Sequence, residues 1–370
     1  DDTIGKAEYR RSLVRMQSGK LCCAYIYTDS GFGESTTDTV YSAQNIICEN
    51  ASLLSESERF TTGITYADID VQKLMGERRR MSTFCSDNEN IRRIYFDMPL
   101  TDTKLSRKFE QTPFVPSAKD DLSRRCKEII TMQATGLATR LAHTGIKNVV
   151  LGLSGGLDST LALIVCVHAF DMLGIDRKNI HTVTMPCFGT TKRTKSNAEK
   201  LAEAYNVSFE EINITAAVRQ HFIDIKHDES VTDITYENSQ ARERTKILMN
   251  LSNKYGGLVI GTGDLSELAL GWATYNGDHM SMYAVNVSIP KTLVRYLTAY
   301  EAEISDGELK TVLLDVLDTP VSPELLPPDK NGEIAQKTED VVGPYELHDF
   351  FLYYFVRFGF TPSKIYYIAK

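Results

Sequence analysis

Residues 151–160 read Leu-Gly-Leu-Ser-Gly-Gly-Leu-Asp-Ser-Thr, a sequence rich in glycine and in hydroxyl side chains. An apolar run from Asn148 leads into it, and a helical pattern from Asp158 to about Leu173 follows it. A short apolar run bounded by glycine is typical of a fully buried parallel strand. Glycines let the backbone turn tightly beside a ligand, and the N–H groups at a helix start face an anion. The stretch therefore predicts a strand–loop–helix unit that binds phosphate.

Strand and helix patterns alternate around this unit. An amphipathic helix at 122–143 precedes it. The later patterns are a strand at 180–185, a helix at 194–205, a strand at 207–214, a helix at 236–254 and a strand at 257–262. This alternation predicts an α/β fold with a parallel sheet and helices on both faces. In such sheets ligands bind beyond the carboxyl ends of the strands.

Composition and charge exclude several classes of protein. The 370 residues carry a net charge of −8 and a pI of about 5.5, which argues against a nonspecific nucleic-acid binder. The length predicts two domains. The longest strongly apolar run, Leu161 to Phe170, is too short to cross a membrane. Seven scattered cysteines without a C-x-x-C pair argue against a zinc ribbon, and they predict reduced thiols in a cytoplasmic protein.

The side chains of the glycine-rich stretch suit a nucleotide. Ser154, Ser159 and Thr160 supply hydroxyl groups, and Asp158 supplies a hard oxygen ligand for Mg²⁺. The lysine of a Walker A loop is absent. A glycine-rich turn capped by aspartate, without any ligand, is the alternative interpretation.

The pattern Ser-Gly-Gly-x-Asp-Ser at 154–159 resembles the pyrophosphate loop of the ATP pyrophosphatase superfamily. This resemblance implies a Rossmann-like sheet of the adenine nucleotide alpha hydrolase-like type. It also implies cleavage of ATP between the α- and β-phosphates, with AMP left on an acceptor oxygen. The loop alone does not identify the acceptor.

Several longer segments narrow the choice of the acceptor that receives AMP. They lie at 185–190, 236–244, 261–278, 287–292, 319–327 and 343–351. In this order they resemble the synthetase domain of glutamine-dependent NAD synthetases, and the resemblance covers 120–370. It implies a carbon–nitrogen ligase that amidates deamido-NAD to NAD through an adenylated intermediate, with release of AMP and pyrophosphate. Glutamine supplies the ammonia in the complete family pattern, and homo-oligomers are typical.

The first hundred residues predict mostly strands, including a pair across the turn Glu49-Asn50-Ala51. Segments at 6–11, 33–38, 47–51 and 55–60 resemble the last third of a nitrilase-like glutaminase domain. We therefore expect a C-terminal portion of that domain at 1–102, a linker at 103–119 and the synthetase domain at 120–370, truncated at its C-terminus. The Glu–Lys–Cys triad of the family is expected to lie before residue 1.

The family resemblance implies roles for individual residues. Asp158 and Lys291 would be catalytic, Asp158 and Glu267 would bind magnesium, and Lys6 would bind glutamine. The ATP site would comprise Gly152, Leu153, Ser154, Gly155, Gly156, Leu157, Asp158, Ser159, Thr262 and Lys291. The deamido-NAD site would comprise Asn238, Arg242, Arg244, Glu267, Trp272, Ala273, Thr274 and Tyr275. Met282 stands where shorter ammonia-dependent relatives carry a substrate-binding aspartate.

Each of these residues also has a structural interpretation. Glu267 could satisfy a helix dipole, Lys291 could be a solvated loop lysine, and Trp272 could belong to the core. The two arginines could lie on an ordinary exposed helix face, and His348 and Asp349 read as helix surface and packing. Two functional alternatives stay open as well: a related synthetase with a different acceptor, or a silent ATP-binding module.

Overall fold

The computed structural model describes residues 2–35, 37–83, 92, 94–97, 99, 104–116, 119–189, 192–319, 325–326 and 338–370, without the side chains of 119, 120 and 192. The chain divides into two compact units. One comprises Asp1–Glu110 with Tyr353–Lys370, and the other comprises Gln111–Leu352. Among the described helices, none combines the length and the apolar character that a membrane span requires.

The first unit contains a small antiparallel sheet. Helix α1 (Lys6–Leu21) leads into β1 (Ala24–Tyr27), β2 (Ile46–Glu49) and β3 (Ser52–Glu56), and α2 (Val71–Arg80) follows. The strand order is β1-β2-β3. The predicted strand pair across Glu49-Asn50-Ala51 is confirmed by the pairing of β2 with β3. The prediction of mostly strands missed α1.

The second unit is built on a five-stranded parallel sheet. Its elements begin with α3 (Lys119–Thr144), β4 (Val149–Gly152), α4 (Leu157–Leu173), β5 (Ile180–Thr184), α5 (Lys192–Ala204), β6 (Ser208–Glu211), α6 (Thr215–Ile225), α7 (Ile234–Tyr255) and β7 (Leu258–Gly261). They continue with α8 (Leu265–Leu270), β8 (Tyr283–Ala284), α9 (Lys291–Ile304), α10 (Gly307–Leu317), α11 (Thr338–Val342) and α12 (Tyr345–Leu352). A π-helical turn (Tyr353–Arg357) and α13 (Pro362–Ala369) belong to the first unit.

The strand order is β6-β5-β4-β7-β8, so β4 lies at the centre of the sheet. Val149, Val150 and Leu151 of β4 are fully buried, as expected for a central parallel strand. Helix α4 is buried along most of its length and packs against α3 and α9. The predicted α/β class and parallel sheet are confirmed, although α6 was not predicted. The order of the strands places the ends of β4 and β7 side by side, which is where the predicted nucleotide loop lies.

The predicted domain boundaries are based on resemblance to two families, whereas the two compact units are defined by how the chain packs. The boundaries at 102 and 119 therefore stay predictions. Residues 353–370, which the family resemblance assigns to the synthetase part, pack with the first unit.

Candidate active site

The glycine-rich loop connects the end of β4 to the start of α4. Gly155 adopts a left-handed backbone conformation with φ of 86°. A Cβ atom at this position would lie 2.1 Å from the carbonyl oxygen of Thr194 in α5. Glycine is therefore required here for two reasons, which are the left-handed φ angle and the close approach of α5. The fold fixes the loop against α5.

The hydroxyl groups of the loop surround the first turn of α4. Ser154 Oγ accepts a hydrogen bond from the N–H of Gly156 at 3.2 Å and lies 3.1 Å from Ser159 Oγ. Ser159 Oγ and Thr160 Oγ1 both donate to the carbonyl oxygen of Gly156. Ser154 itself is exposed. The loop thus presents backbone N–H groups and hydroxyl groups at one helix N-terminus, which is suited to an anion.

The two leucines of the predicted ATP site face the core. Leu153 and Leu157 are buried among apolar residues. Gly152 ends β4, and a Cβ atom there would lie 3.2 Å from the side chain of Leu248 in α7. These three residues can contribute backbone groups to a ligand site, whereas their side-chain positions serve packing.

Lys291 lies at the centre of an acidic cluster. Its Nζ atom is 2.8 and 2.9 Å from the two carboxylate oxygens of Asp158, and 2.9 Å from Oε1 of Glu267. A third carboxylate, Asp264, places Oδ2 at 2.7 Å from Nζ. The lysine side chain is only 4% exposed. The interpretation of Lys291 as a solvated loop lysine is therefore wrong, because it is the buried first residue of α9.

The cluster brings together three parts of the sequence. Asp158 lies in the first turn of α4, and Lys291 begins α9. Asp264 and Glu267 follow β7, where they form a capping box at the start of α8. Glu267 does serve its helix start, as the structural interpretation held, and it also faces Lys291. Asp264 was not among the predicted site residues, although an acidic residue three positions before Glu267 is the signature of such a box.

The crowding of negative charge changes the protonation of these groups. Burial, followed by repulsion from Asp158, raises the pKa of Glu267 to about 7. Burial is also the main cause that raises the pKa of Asp264 to about 6. Burial alone would lower the pKa of Lys291, but the surrounding carboxylates raise it well above its ordinary value. The lysine is thus held as an ammonium ion.

The donor set fits a magnesium ion. One carboxylate oxygen from each of Asp158, Asp264 and Glu267 lies within 4.8 Å of the others. Oxygen donors of this kind are the ligands that Mg²⁺ prefers. Oδ2 of Asp264 is buried and has no hydrogen-bond partner among the described residues, so its contact with Lys291 is an ion pair without hydrogen-bond geometry. These residues could therefore hold a divalent cation.

Two buried polar residues hold the site together. Asn286 Nδ2 donates to the carbonyl oxygens of Asp158 and Thr262, which ties the end of β7 to α4. Asp349 accepts hydrogen bonds from the backbone N–H and the hydroxyl of Thr292 and from the hydroxyl of Ser266. The interpretation of Asp349 as helix surface and packing is wrong, because this carboxylate is buried and caps the helix that begins with Lys291. Sequence spacing gave no signal for either residue.

The predicted deamido-NAD residues other than Glu267 lie on α7 and on the segment 272–275, and we call them the second cluster. Arg242 Nε in α7 donates to the carbonyl oxygen of Tyr275 at 3.2 Å. Arg244, two residues further along α7, lies 3.5 Å from the carboxylate of Asp278. A Cβ atom on Gly277 would lie 2.8 Å from Cβ of Ala241, so the segment after α8 packs closely on α7.

The side chains of this second cluster are accessible to different extents. Arg242, Ala273 and Tyr275 are exposed, whereas Asn238, Arg244, Trp272 and Thr274 are half-buried. Trp272 is thus not a core residue, and its backbone N–H donates to the carbonyl oxygen of Glu267. The structure places Arg242 of α7 beside Tyr275, while the ligand roles of all these residues stay predictions.

The two remaining predicted residues are Thr262, whose carbonyl oxygen shares the donor Asn286 with that of Asp158, and Lys6. Thr262 follows β7 and is half-buried. Lys6 begins α1 in the first unit. The hydroxyl oxygen of Ser252 in α7 lies 3.5 Å from the sulfur of Met282, so this sulfur packs against α7.

Comparisons with known proteins agree on one family. The family model described as NAD synthase matches residues 129–357, which is more than half of the chain. Glutamine-dependent NAD(+) synthetase from Mycobacterium tuberculosis (strain ATCC 25618 / H37Rv) is 46% identical over 388 aligned positions, covering 99% of this chain and 56% of the relative. The chain thus spans about half the length of the curated relatives that it matches.

Two solved structures share the fold. A glutamine-dependent NAD(+) synthetase from Cytophaga hutchinsonii gives a TM-score of 0.53 at 18% identity, covering 98% of this chain and 57% of that one. NMN synthetase from Francisella tularensis gives a TM-score of 0.53 at 24% identity, covering 66% of this chain and 91% of that one. At these identities the likeness concerns the fold alone.

Proposed function

Since the chain belongs to the NAD synthase family, we propose that it amidates deamido-NAD to NAD at the expense of ATP. The observation that supports this proposal best is the position of Lys291 and three carboxylates beside the phosphate-type loop of α4. That arrangement is suited to a nucleoside triphosphate with a divalent cation. Glutamine would supply the ammonia in the complete protein.

The first step is adenylation. A carboxylate oxygen of the nicotinate group attacks the α-phosphorus of ATP, and the bond between that phosphorus and the pyrophosphate oxygen breaks. The N–H groups at the start of α4 and the hydroxyls of Ser154 and Ser159 would hold the phosphates. Lys291 would neutralise negative charge that develops on the leaving group. Thr262, next to the loop, would contact ATP.

The second step is amide formation. The lone pair of ammonia attacks the carbonyl carbon of the adenylate, AMP leaves with the bonding electrons, and the nitrogen loses a proton. The attack of ammonia on the carbonyl carbon requires no acid–base residue, because the adenylate already contains AMP as a good leaving group. Positioning is therefore the main contribution of the protein.

Magnesium is part of the proposal. Asp158 and Glu267 would hold it, and Asp264 presents a further oxygen at the same place. When bound, the ion supplies charge neutralisation for the triphosphate.

The second cluster would bind deamido-NAD. Arg242 and Arg244 offer positive charge for its pyrophosphate, together with Asn238 from the same helix. Trp272, Ala273, Thr274 and Tyr275 would lie along the nicotinate end, where the half-buried indole ring offers a flat apolar surface. Lys6 of the first unit would contact glutamine. A homo-oligomer and a cytoplasmic location complete the proposal, and the free thiols of the six described cysteines accord with that location.

The test is product analysis by mass spectrometry. The chain is incubated with Mg-ATP, deamido-NAD and either ammonium or glutamine, and NAD, AMP and pyrophosphate are measured. We expect NAD from ammonium. NAD from glutamine as well would contradict the expectation that the glutaminase triad lies outside residues 1–370. Preferential conversion of nicotinate mononucleotide, or of any other acceptor, would refute the assignment of deamido-NAD.

A pair of variants of α4 separates the site from the rest of the helix. Asp158→Asn removes a carboxylate that contacts Lys291, and we expect it to abolish most pyrophosphate release. Asp171→Asn makes the same change near the other end of α4, where the side chain pairs with Arg177. This control should retain the activity. Equal activity of both variants would show that Asp158 has no part in the reaction.

A further inference from the structure

The ammonium group of Lys291 occupies the position at which a cation would bind. Its Nζ atom lies 2.7 to 2.9 Å from one oxygen each of Asp158, Asp264 and Glu267. These are the same three residues whose oxygens cluster within 4.8 Å of one another. The lysine is therefore bound where the donors of a divalent cation converge.

An ammonium ion and a divalent cation would repel each other if both were bound to these oxygens. Magnesium binds its oxygen ligands at about 2.0–2.1 Å. With Nζ also within hydrogen-bond distance of the same atoms, two positive centres would lie nearly in contact inside a largely buried site. Their repulsion is strong at such a distance, since the interior screens charge far less than water.

The balance of charge favours an exchange. When all three carboxylates are ionised, one ammonium leaves two formal negative charges, whereas a divalent cation leaves one. The exchange also frees the positive charge of Lys291 for another anion. Under the proposed function, this anion is a nucleotide phosphate bound at the adjacent start of α4.

Asp264 provides an independent observation. Its side chain is fully buried, and its Oδ2 atom has no hydrogen-bond partner among the described residues. Its other oxygen, Oδ1, is used by the N–H of Glu267 at the start of α8. One oxygen thus fixes the helix, and the other points to the cluster without a hydrogen bond.

We propose that Asp264 is a third cation ligand beside Asp158 and Glu267, and that Lys291 competes with the divalent cation and leaves the carboxylates when the cation binds. The proposal rests on the proposed function only for the destination of the lysine, because cation binding can be measured without any substrate.

The first test measures binding of Mn²⁺ alone to the full chain, from the electron paramagnetic resonance signal of the free ion. Lys291→Met removes the competitor, and we expect it to bind Mn²⁺ at least about tenfold more tightly than the unmodified chain. Lys310→Met, on the exposed face of α10, removes the same charge and should change the affinity less than about twofold. Equal or weaker binding by Lys291→Met would overturn the competition.

The role of Asp264 is tested in the same background. The double variant Lys291→Met with Asp264→Asn keeps an oxygen acceptor for the start of α8. We expect it to lose the gain in Mn²⁺ affinity. If it binds as tightly as Lys291→Met alone, Asp264 is not a ligand.

The movement of the lysine is tested without any mutation. An amine-reactive acylating reagent is applied to the unmodified chain, and the labelling of Lys291 is compared with that of Lys310 by mass spectrometry. Without Mn²⁺ the buried ammonium should react slowly, and with Mn²⁺ its labelling should rise at least several-fold relative to Lys310. Unchanged labelling at saturating Mn²⁺ would overturn the exchange. A chain that passes these tests but forms no NAD would contradict the proposed function alone.

Discussion

Replacing Gly155 by alanine tests whether the glycine-rich loop between β4 and α4 is held in place by its contact with α5. The backbone at Gly155 has φ of 86°, and left-handed backbone costs a residue other than glycine about 1 kcal/mol. The new Cβ atom would also lie 2.1 Å from the carbonyl oxygen of Thr194. Relief of that overlap requires the loop or α5 to shift, and overpacking of this kind costs about 1–3 kcal/mol. The expected loss of unfolding free energy is therefore about 2–4 kcal/mol.

A glycine at the other end of α4 separates the two contributions. Gly174 has φ of 62°, and a Cβ atom there would meet nothing within 4 Å. Gly174→Ala should therefore cost only about 1 kcal/mol, from the backbone conformation alone. Trp272 is the single tryptophan of the sequence and lies in the second unit, so its fluorescence reports urea unfolding of that unit.

The result that would refute this reasoning is an equal loss of stability in the two variants. It would show that the contact between the loop and Thr194 costs nothing when a methyl group is added. We also expect Gly155→Ala to weaken ATP binding at least about tenfold in calorimetry, since the loss of one hydrogen bond to a charged phosphate costs about 1.5–3 kcal/mol. Gly174→Ala should bind ATP as the unmodified chain does.

Two further predictions concern buried carboxylates outside the loop. Asp349→Asn should lower the unfolding free energy of the second unit by about 1.5–3 kcal/mol, because charged hydrogen bonds to Thr292 are weakened. Glu346→Gln, exposed on the same helix, should lower it by less than about 0.5 kcal/mol, and an equal effect of the two would contradict the capping role. His168 contacts Glu301 at 3.2 Å, and the hydrogen bond to this carboxylate, partly opposed by burial, raises the pKa of the imidazole above its ordinary value of 6.5. Because the folded pKa is the higher one, this pair stabilises the fold fully below pH 6.5, and its contribution is lost as pH rises through the folded pKa. Melting temperatures measured across that range should decline less in His168→Gln, and parallel curves for the two proteins would contradict the assigned pKa shift.

The predictions that the structure confirmed rest on local patterns. The stretch at 151–160 specifies a buried strand, a glycine turn and a helix start within ten residues. The alternation of strands and helices then limits the sheet to a parallel one. Such features are visible because a periodic pattern and a glycine requirement are properties of neighbouring residues.

Helix α1 shows why other elements were missed. Its buried face includes Arg10 and Ser18 together with Val14. Arg10 is satisfied by hydrogen bonds to Ser42 and Gln44, residues more than 30 positions away. An apolar stripe is the signal by which a helix is predicted, and a helix that buries paired polar groups does not display it.

The motifs of the sequence thus predicted the family, the central glycine-rich loop and most of the candidate residues. The contacts between these residues, by contrast, depend on the tertiary structure. The ends of β4 and β7 lie side by side, and this places Asp158, Asp264 and Glu267 around the ammonium group of Lys291. Asp158 and Lys291 are separated by 133 positions in the sequence. The burial of Lys291 and the presence of Asp264 beside it depend on packing between distant segments. A local sequence pattern contains no information about such packing.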